Sequence, residues 1–240
     1  MMAAGVAVVE FGGKAAQAQE NMSEQAGMLE REARKARSIA ILRREGVPYI
    51  EHLPAIEAED EIARRTDEEV ALRALALSVV AVKAESLDQA LTEQLITRFR
   101  LADAFTPKEQ AFIAKPEPST RERNEFGWRY ECLWVLLWAL GFVEKLGRPD
   151  HIMDAGQGVG IISRLGRDDF LAQAKLRPAA ELLDAADLIY RYDWAVVDAR
   201  LKQQTAPAGL DPDVVVEWHY ALNWLIGYQD QEWDEVSTDT

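Results

Sequence analysis

The sequence predicts an all-α protein, a single globular domain of about seven or eight helices around central apolar helices. No stretch shows convincingly the alternation of apolar and polar residues that marks a half-buried strand. The two β-like runs, residues 6–11 and 213–216, are short. Several segments instead begin at a residue that can cap a helix, and some end at a glycine followed by a proline. With 240 residues, 48% of them hydrophobic, the chain can bury a core without disulfides or metal ions.

Start and stop signals divide the chain into helices. The first helix combines an apolar stripe, formed by Leu29, Ala33, Ala36, Ala40 and Ile41, with a basic back. Residues 1–27 are predicted to be a mobile N-terminal extension, and residues 28–240 a single α-helical domain with an acidic C-terminal tail. The predicted helices cover, in order, residues 28–46, 70–83 after a capping box Thr66–Glu69, 88–104, a short helix after a second box Thr106–Glu109, 120–146 ending at Gly147, 178–202, and 211–228.

Charge is distributed unevenly along the chain. The 41 acidic and 27 basic residues give a formal net charge of −14, which disfavours nucleic acid as a partner because phosphates bind to cationic surfaces. Residues 203–240 contain no lysine or arginine, whereas residues 31–44 contain six basic residues and one acid. Either a basic helix and an acidic tail are separately solvated, or the two ends attract each other within one chain or across a dimer. Trp233 in the tail is expected to fold back on the body or to dock a partner.

The single cysteine indicates the expected compartment. Cys132 cannot form a disulfide within the chain, so a reducing, cytoplasmic location is expected. The longest apolar run, residues 132–143, has 12 residues, which is too few to span a bilayer. The N-terminal residues lack the basic segment of a signal peptide. The sequence therefore predicts neither a membrane segment nor a targeting segment.

A glycine-rich stretch, residues 154–160, has the acid and glycine spacing of the first motif of S-adenosylmethionine-dependent methyltransferases. That motif requires a buried strand directly before it, whereas Pro149 and only two apolar side chains precede the stretch. We interpret residues 154–160 as a flexible linker between two helices, and expect no cofactor. His151 and Asp154 could chelate a cation, but none of the three histidines has metal-ligand spacing, so no metal site is predicted.

Polar residues interrupt the apolar faces of three predicted helices. Glu131 lies within an aromatic stripe, where a buried carboxylate must be paired, hydrogen-bonded or protonated. Asp187 precedes Arg191 by four residues, the favourable orientation for an ion pair within a helix. Eight residues could converge between these helices, either as a buried network that fixes helix register or as a polar pocket: Arg129, Glu131, Asp187, Arg191, Asp198, Glu217, His219 and Asn223.

Two hypotheses of function remain open. The first is a non-enzymatic cytoplasmic binding or interaction protein, which associates with a protein partner or with itself through the basic helix or the acidic tail in a salt-sensitive way. The second is a hydrolase-type enzyme, in which Glu131, Asp198, Glu217 and His219 line one cavity. His219 would carry protons, and the carboxylates would act as base or orienting groups. No nucleophile stands out, so no catalytic residue is assigned.

Several phrases, in order, resemble a known bacterial family, the domain of unknown function numbered 4272. The resemblance covers roughly residues 30 to 240, and the glycine-rich stretch belongs to none of its phrases. It implies an intracellular α-helical protein, but no established activity, cofactor or catalytic residue. The phrases are residues 44–48 (REGVP), 68–77 (EEVALRALAL), 138–141 (WALG), 176–178 (LRP), 187–191 (DLIYR), 194–200 (WAVVDAR), 217–224 (EWHYALNW), 233–234 (WD) and 238–240 (TDT).

Overall fold

The computed structural model describes the backbone of residues 6–240 and the side chains of Gln19 and of residues 21–240. In this part of the chain the secondary structure is helical, with no strand, and the predicted all-α class is confirmed. Because α5 and α6 meet at Trp128, they form one interrupted helix, and the described residues then contain eight α-helices. The segments are α1 (Val6–Glu45), α2 (Asp67–Ser86), α3 (Gln89–Phe99), α4 (Pro107–Ile113), α5 (Thr120–Gly127), α6 (Arg129–Ala139), α7 (Ala155–Gln173), α8 (Ala179–Leu201) and α9 (Pro212–Ile226).

The helix α2 lies at the centre of the core. Its N-terminus has the predicted capping box: the Thr66 hydroxyl accepts a hydrogen bond from the Glu69 backbone N–H, and the Glu69 carboxylate accepts one from the Thr66 N–H. Residues 70–84 are buried around almost the whole helix, because α3, α4, α5, α6 and α7 pack around it. The second predicted box, Thr106 with Glu109, is also present and starts α4.

The helices α8 and α9 form a packed pair at one side of this core. α9 also contacts α6, and α1 packs on the other side of α8. α9 begins as predicted, with Asp211 accepting hydrogen bonds from two backbone N–H groups of the first turn and Pro212 in the first helical position. The polar residues singled out in the sequence are therefore placed on three helices next to the core, α6, α8 and α9.

The segment predicted as one helix over residues 120–146 is divided and ends early. Trp128 closes α5 and opens α6 without a side-chain cap. After α6, Gly141 has a φ of +81°, a left-handed conformation that glycine adopts at little cost. The predicted end at Gly147 is wrong, because the apolar residues beyond Gly141 continue into a turn in which Phe142 and Val143 pack against the core.

The glycine-rich residues 154–160 form the first turns of α7, so the predicted flexible linker is wrong. The Asp154 side chain caps this helix by accepting a hydrogen bond from the Gly156 N–H at 2.9 Å. Gly158 is buried, and a Cβ there would lie 3.0 Å from the Met153 side chain and 3.5 Å from that of Leu137. The glycine thus allows α7 to approach α6 closely, which is a packing role.

The helix α1 begins much earlier than Met28. Residues 1–5 of the predicted extension lie outside the described residues, and the rest of it belongs to α1; the mobility of residues 1–27 stays a prediction. The buried face of α1 includes Arg34, Ser38 and Leu42. Most of the predicted apolar stripe is exposed, Leu29 by 65%. α1 has 40 residues, but no helix in the described part of the chain is both long and apolar enough to cross a membrane.

The acidic tail folds back on the body of the protein. Trp233 is buried and packs edge-on against Tyr220 and Trp224, with ring centroids 5.2 Å apart in both pairs. The tail also binds cations of the body: Arg65 donates to the Gln231 carbonyl at 2.8 Å, and Lys108 to the Asp234 carbonyl at 2.8 Å. The described ion pairs of the basic helix are made instead with Glu30, Glu51, Glu61 and Asp184. Within the described chain, the two ends do not pair with each other.

Candidate functional site

The eight polar residues predicted to converge do not form one network. They divide into an ion pair within α8, a contact between α6 and α9, a buried carboxylate on α6, an exposed pair at the end of α8, and two residues at a cavity. The residues of the first four groups have close protein partners, although the Nη1 of Arg191 has no hydrogen-bond partner within the described chain. The two residues at the cavity differ from these four groups.

Asp187 and Arg191 form the ion pair that their spacing predicted. Both are buried, and the guanidinium donates two hydrogen bonds to the carboxylate, at 2.8 and 2.7 Å. Arg191 also donates to the Pro54 carbonyl at 3.1 Å. This pair links α8 to the segment that follows α1, and each carboxylate oxygen accepts a hydrogen bond from the guanidinium.

Arg129 and Glu217 connect α6 with α9 at a distance of 2.9 Å. The Cys132 thiol donates to the same Glu217 carboxylate at 3.0 Å, and the Arg129 guanidinium lies 4.6 Å from the centre of the Tyr220 ring. Burial raises the pKa of Cys132 well above its ordinary value, and the negative charge of Glu217 adds to the effect. The thiol is therefore neutral, which makes it a poor nucleophile.

Glu131 is buried without a cation. One carboxylate oxygen accepts a hydrogen bond from the Met153 backbone N–H at 2.7 Å, and the other accepts one from the Trp218 indole N–H at 2.9 Å. Burial raises the pKa of Glu131, and these two hydrogen bonds act in the opposite direction. Glu131 therefore ties α9 and the start of the glycine-rich segment to α6.

Asp198 lies apart from the other predicted residues. It pairs at 2.7 Å with Lys202, the residue directly after α8, and this lysine is 58% exposed. Exposed pairs of this kind contribute little to stability. Asp198 is not among the residues that line the cavity of His219 and Asn223.

His219 and Asn223 line a cavity, which we call the α8–α9 cavity. It has a volume of about 210 Å³ and lies between α8, α9, residues 54–57 and the tail. The His219 ring is 2% exposed, and its Nδ1 lies 2.8 Å from the Asp193 carboxylate. Asn223 donates to the Ser237 carbonyl of the tail at 2.9 Å. Tyr190 of α8 also lines the cavity, with its ring 5.9 Å from that of His219.

Asp193 is the residue of this site that the sequence reasoning missed. It is buried, and only one of its carboxylate oxygens has a hydrogen-bond partner. Its partner lies 26 positions away on another helix, so no spacing within α8 reveals the contact. The available signal was a charged residue between two aromatic residues, Tyr192 and Trp194.

The two cofactor and metal motifs take structural roles. His151 contacts its neighbour Asp150 at 2.6 Å, and Asp154 caps α7. Among the described residues, no group of three or more His, Cys, Asp or Glu side chains is arranged to hold a metal ion. The methyltransferase-like glycines lie on a helix rather than at a turn after a strand, which does not fit that motif.

The outer face of α1 carries a line of apolar residues at alternating spacings of four and three, which we call the exposed α1 stripe. All of its members are exposed, including Met22 by 71% and Leu29 by 65%. Because successive residues turn by roughly 100° in an α-helix, this face is nearly opposite the face that packs on α8. The stripe consists of Met22, Ala26, Leu29, Ala33, Ala36 and Ala40.

Comparison with known families supports the resemblance seen in the sequence. A family described as "Domain of unknown function (DUF4272)" matches residues 34–236. The chain belongs to the DUF4272 family. No curated protein and no solved structure matches it. The DUF4272 match includes Asp193, His219 and Asn223, whereas the first four residues of the exposed α1 stripe precede it.

Proposed function

We propose that the chain is a non-enzymatic cytoplasmic binding protein whose partner is a second copy of itself, bound along the exposed α1 stripe. The observation that carries the proposal is the heptad-like spacing of six exposed apolar residues, since this pattern is typical of helices that pack against another helix. Met22 and Leu29 are exposed by 71% and 65%, and clustered apolar exposure of this kind is typical of interaction surfaces. The cytoplasmic location rests on the single, buried cysteine.

The charges and sizes along α1 favour a second copy in antiparallel orientation. Glu30 and Glu32 lie beside the middle of the stripe, and basic residues (Arg37, Arg43 and Arg44) lie beside its second half, so a two-fold arrangement brings opposite charges together. In the register that places Leu29 on Ala40 of the second copy, Ala33 meets Ala36, so the large Leu29 side chain packs on a small one. The same register places Glu30 near Arg37 of the second copy, and Arg37 is 52% exposed.

The association should depend on salt, because it combines apolar contact with exposed charge pairs. The Debye length falls from about 10 Å at 0.1 M salt to about 3 Å at 1 M. Higher salt should therefore raise the dissociation constant of the dimer, because it screens the charge pairs, but it should leave the apolar contacts in place.

The test compares Leu29→Glu with Met28→Glu by light scattering coupled to gel filtration at low salt. Both residues are exposed, by 65% and 59%, so neither change should affect folding, but Met28 lies outside the stripe. We expect the wild type and Met28→Glu to be dimers, and Leu29→Glu to dissociate with a dissociation constant raised about tenfold or more. A wild-type monomer at all concentrations, or equal behaviour of the two variants, would contradict the proposal.

The hydrolase hypothesis loses the arrangement on which it depended. It required Glu131, Asp198, Glu217 and His219 around one cavity. His219 alone of these four lines the α8–α9 cavity, while the three carboxylates have close partners elsewhere. We therefore propose no reaction.

A further inference from the structure

The α8–α9 cavity has the form of a small-molecule site, and it is independent of the exposed α1 stripe. Its volume of about 210 Å³ is below the roughly 300–1,000 Å³ of pockets that hold drug-sized ligands. The walls come from four separate parts of the chain, including the tail residue Asp239. The cavity therefore fits a compact molecule, and the folded tail helps to enclose it.

His219 presents a hydrogen-bond acceptor to this cavity. Its Nδ1 lies 2.8 Å from an Asp193 carboxylate oxygen, which can only accept, so the proton of a neutral ring is placed on Nδ1. Nε2 then carries a lone pair, and it makes no hydrogen bond with the described residues. Since His219 is only 2% exposed, this buried acceptor remains for a ligand.

The other polar groups of the lining also favour a ligand that donates hydrogen bonds. The Asn223 amide N–H group donates to the Ser237 carbonyl, which leaves the Asn223 Oδ1 as an acceptor. Glu57 and Asp239 also line the cavity, and neither carboxylate forms an ion pair or a side-chain hydrogen bond within the described chain. No lysine or arginine is among the described residues of the lining.

We infer that the α8–α9 cavity binds the ammonium group of a small organic amine. An ammonium group carries three N–H donors and no acceptor, which matches the acceptors of His219 and Asn223 and the two unpaired carboxylates. Tyr190 and Tyr228 supply aromatic side chains, which attract cations through the faces of their rings. The negative charges of Glu57 and Asp239 would repel an anionic ligand.

The first test uses isothermal titration calorimetry of the full chain with three probes of equal length in an amine-free buffer at low salt. The probes are 1,4-diaminobutane, 1,4-butanediol and butanedioate, which carry two positive charges, none and two negative charges. We expect saturable binding of one diamine per chain, and no binding of the diol or the dianion. Absence of diamine binding, or tighter binding of either of the other probes, would overturn the inference.

The second test separates a built site from general attraction to an acidic chain. Glu57→Gln removes a carboxylate that lines the cavity, and Glu59→Gln makes the same change two residues away at an exposed position outside it. Glu57→Gln should weaken diamine binding about tenfold or more, as expected for a lost charge-assisted hydrogen bond. Glu59→Gln should leave binding unchanged, and an equal effect of the two variants would refute a site at the cavity.

Discussion

Asp187 and Asp193 are both buried carboxylates of α8, but their surroundings differ. Asp187 accepts two hydrogen bonds from Arg191 on the same helix, at 2.8 and 2.7 Å. Among the described residues, Asp193 makes a side-chain hydrogen bond only with His219 of the neighbouring helix, at 2.8 Å, and its other oxygen has no hydrogen-bond partner. The first pair is a local contact within one helix that also reaches residue 54, whereas the second joins two helices at the wall of a cavity.

This difference separates two kinds of buried carboxylate. One has its negative charge offset by a cation of the chain, and the other lacks such a cation and is available to a positive ligand. The guanidinium of Arg191 carries a permanent positive charge that offsets the buried charge of Asp187. His219 offers Asp193 a hydrogen bond without a permanent charge, and its own second nitrogen is left open. A positive ligand in the α8–α9 cavity would supply the compensation that the chain itself provides at Asp187.

The largest loss of unfolding free energy is expected when the Asp187–Arg191 pair is broken. Arg191→Met should lower the free energy of unfolding by about 3–5 kcal/mol, because it leaves a buried carboxylate without its partner. Urea unfolding followed by circular dichroism measures the change. The double variant Asp187→Leu/Arg191→Met is the control, and should recover much of the loss. A single variant as stable as the double one would show that Asp187 tolerates the loss of its partner.

A smaller effect is expected at Asp193. Asp193→Asn keeps an oxygen that can accept from His219 and removes a charge that no permanent cation offsets, so the loss in unfolding free energy should be about 1 kcal/mol. The same urea experiment measures it, with Asp198→Asn at the exposed pair with Lys202 as a baseline near zero. A loss as large as that of Arg191→Met would place Asp193 among the residues that hold the fold.

The smallest expected change in unfolding free energy concerns Glu131, a third buried carboxylate. This change depends on pH. Since burial raises the pKa of Glu131, the folded state binds the proton more tightly than the unfolded state. The resulting stabilisation is present below the ordinary glutamate pKa and is lost as pH rises through the raised pKa. The stability of the wild type relative to Glu131→Gln should therefore decline as pH rises from about 4.3. A difference that stays constant with pH would contradict this.

Much of the fold could be predicted because local signals determine helix starts. The caps at Thr66, Thr106 and Asp211 each satisfy backbone N–H groups within one turn, so they can be recognised without knowledge of packing. The predictions that were wrong depended on how the helices pack against each other. α1 buries Arg34, whose guanidinium donates to Glu30 and to the Glu57 carbonyl. The contact with Glu57 spans 23 positions and cannot be seen in the hydrophobic pattern.

The candidate site was predicted only in part, because some of its contacts are local and others depend on packing between helices. The Asp187–Arg191 pair lies within one helix and follows from spacing alone. The contact of Asp193 with His219 depends on how α8 lies against α9, and the α8–α9 cavity depends further on where the tail folds. His219 and Asn223 could be chosen because they interrupt an apolar helix, but their neighbours from other segments could not.

Cys132 makes the native state observable by chemistry. The thiol is the single one in the chain, fully buried and hydrogen-bonded to Glu217 where α6 meets α9. A thiol-specific reagent can reach it only when these helices separate, so the labelling rate of the unmodified protein reports the opening of this interface. No engineered cysteine is needed, and each chain reacts at one site.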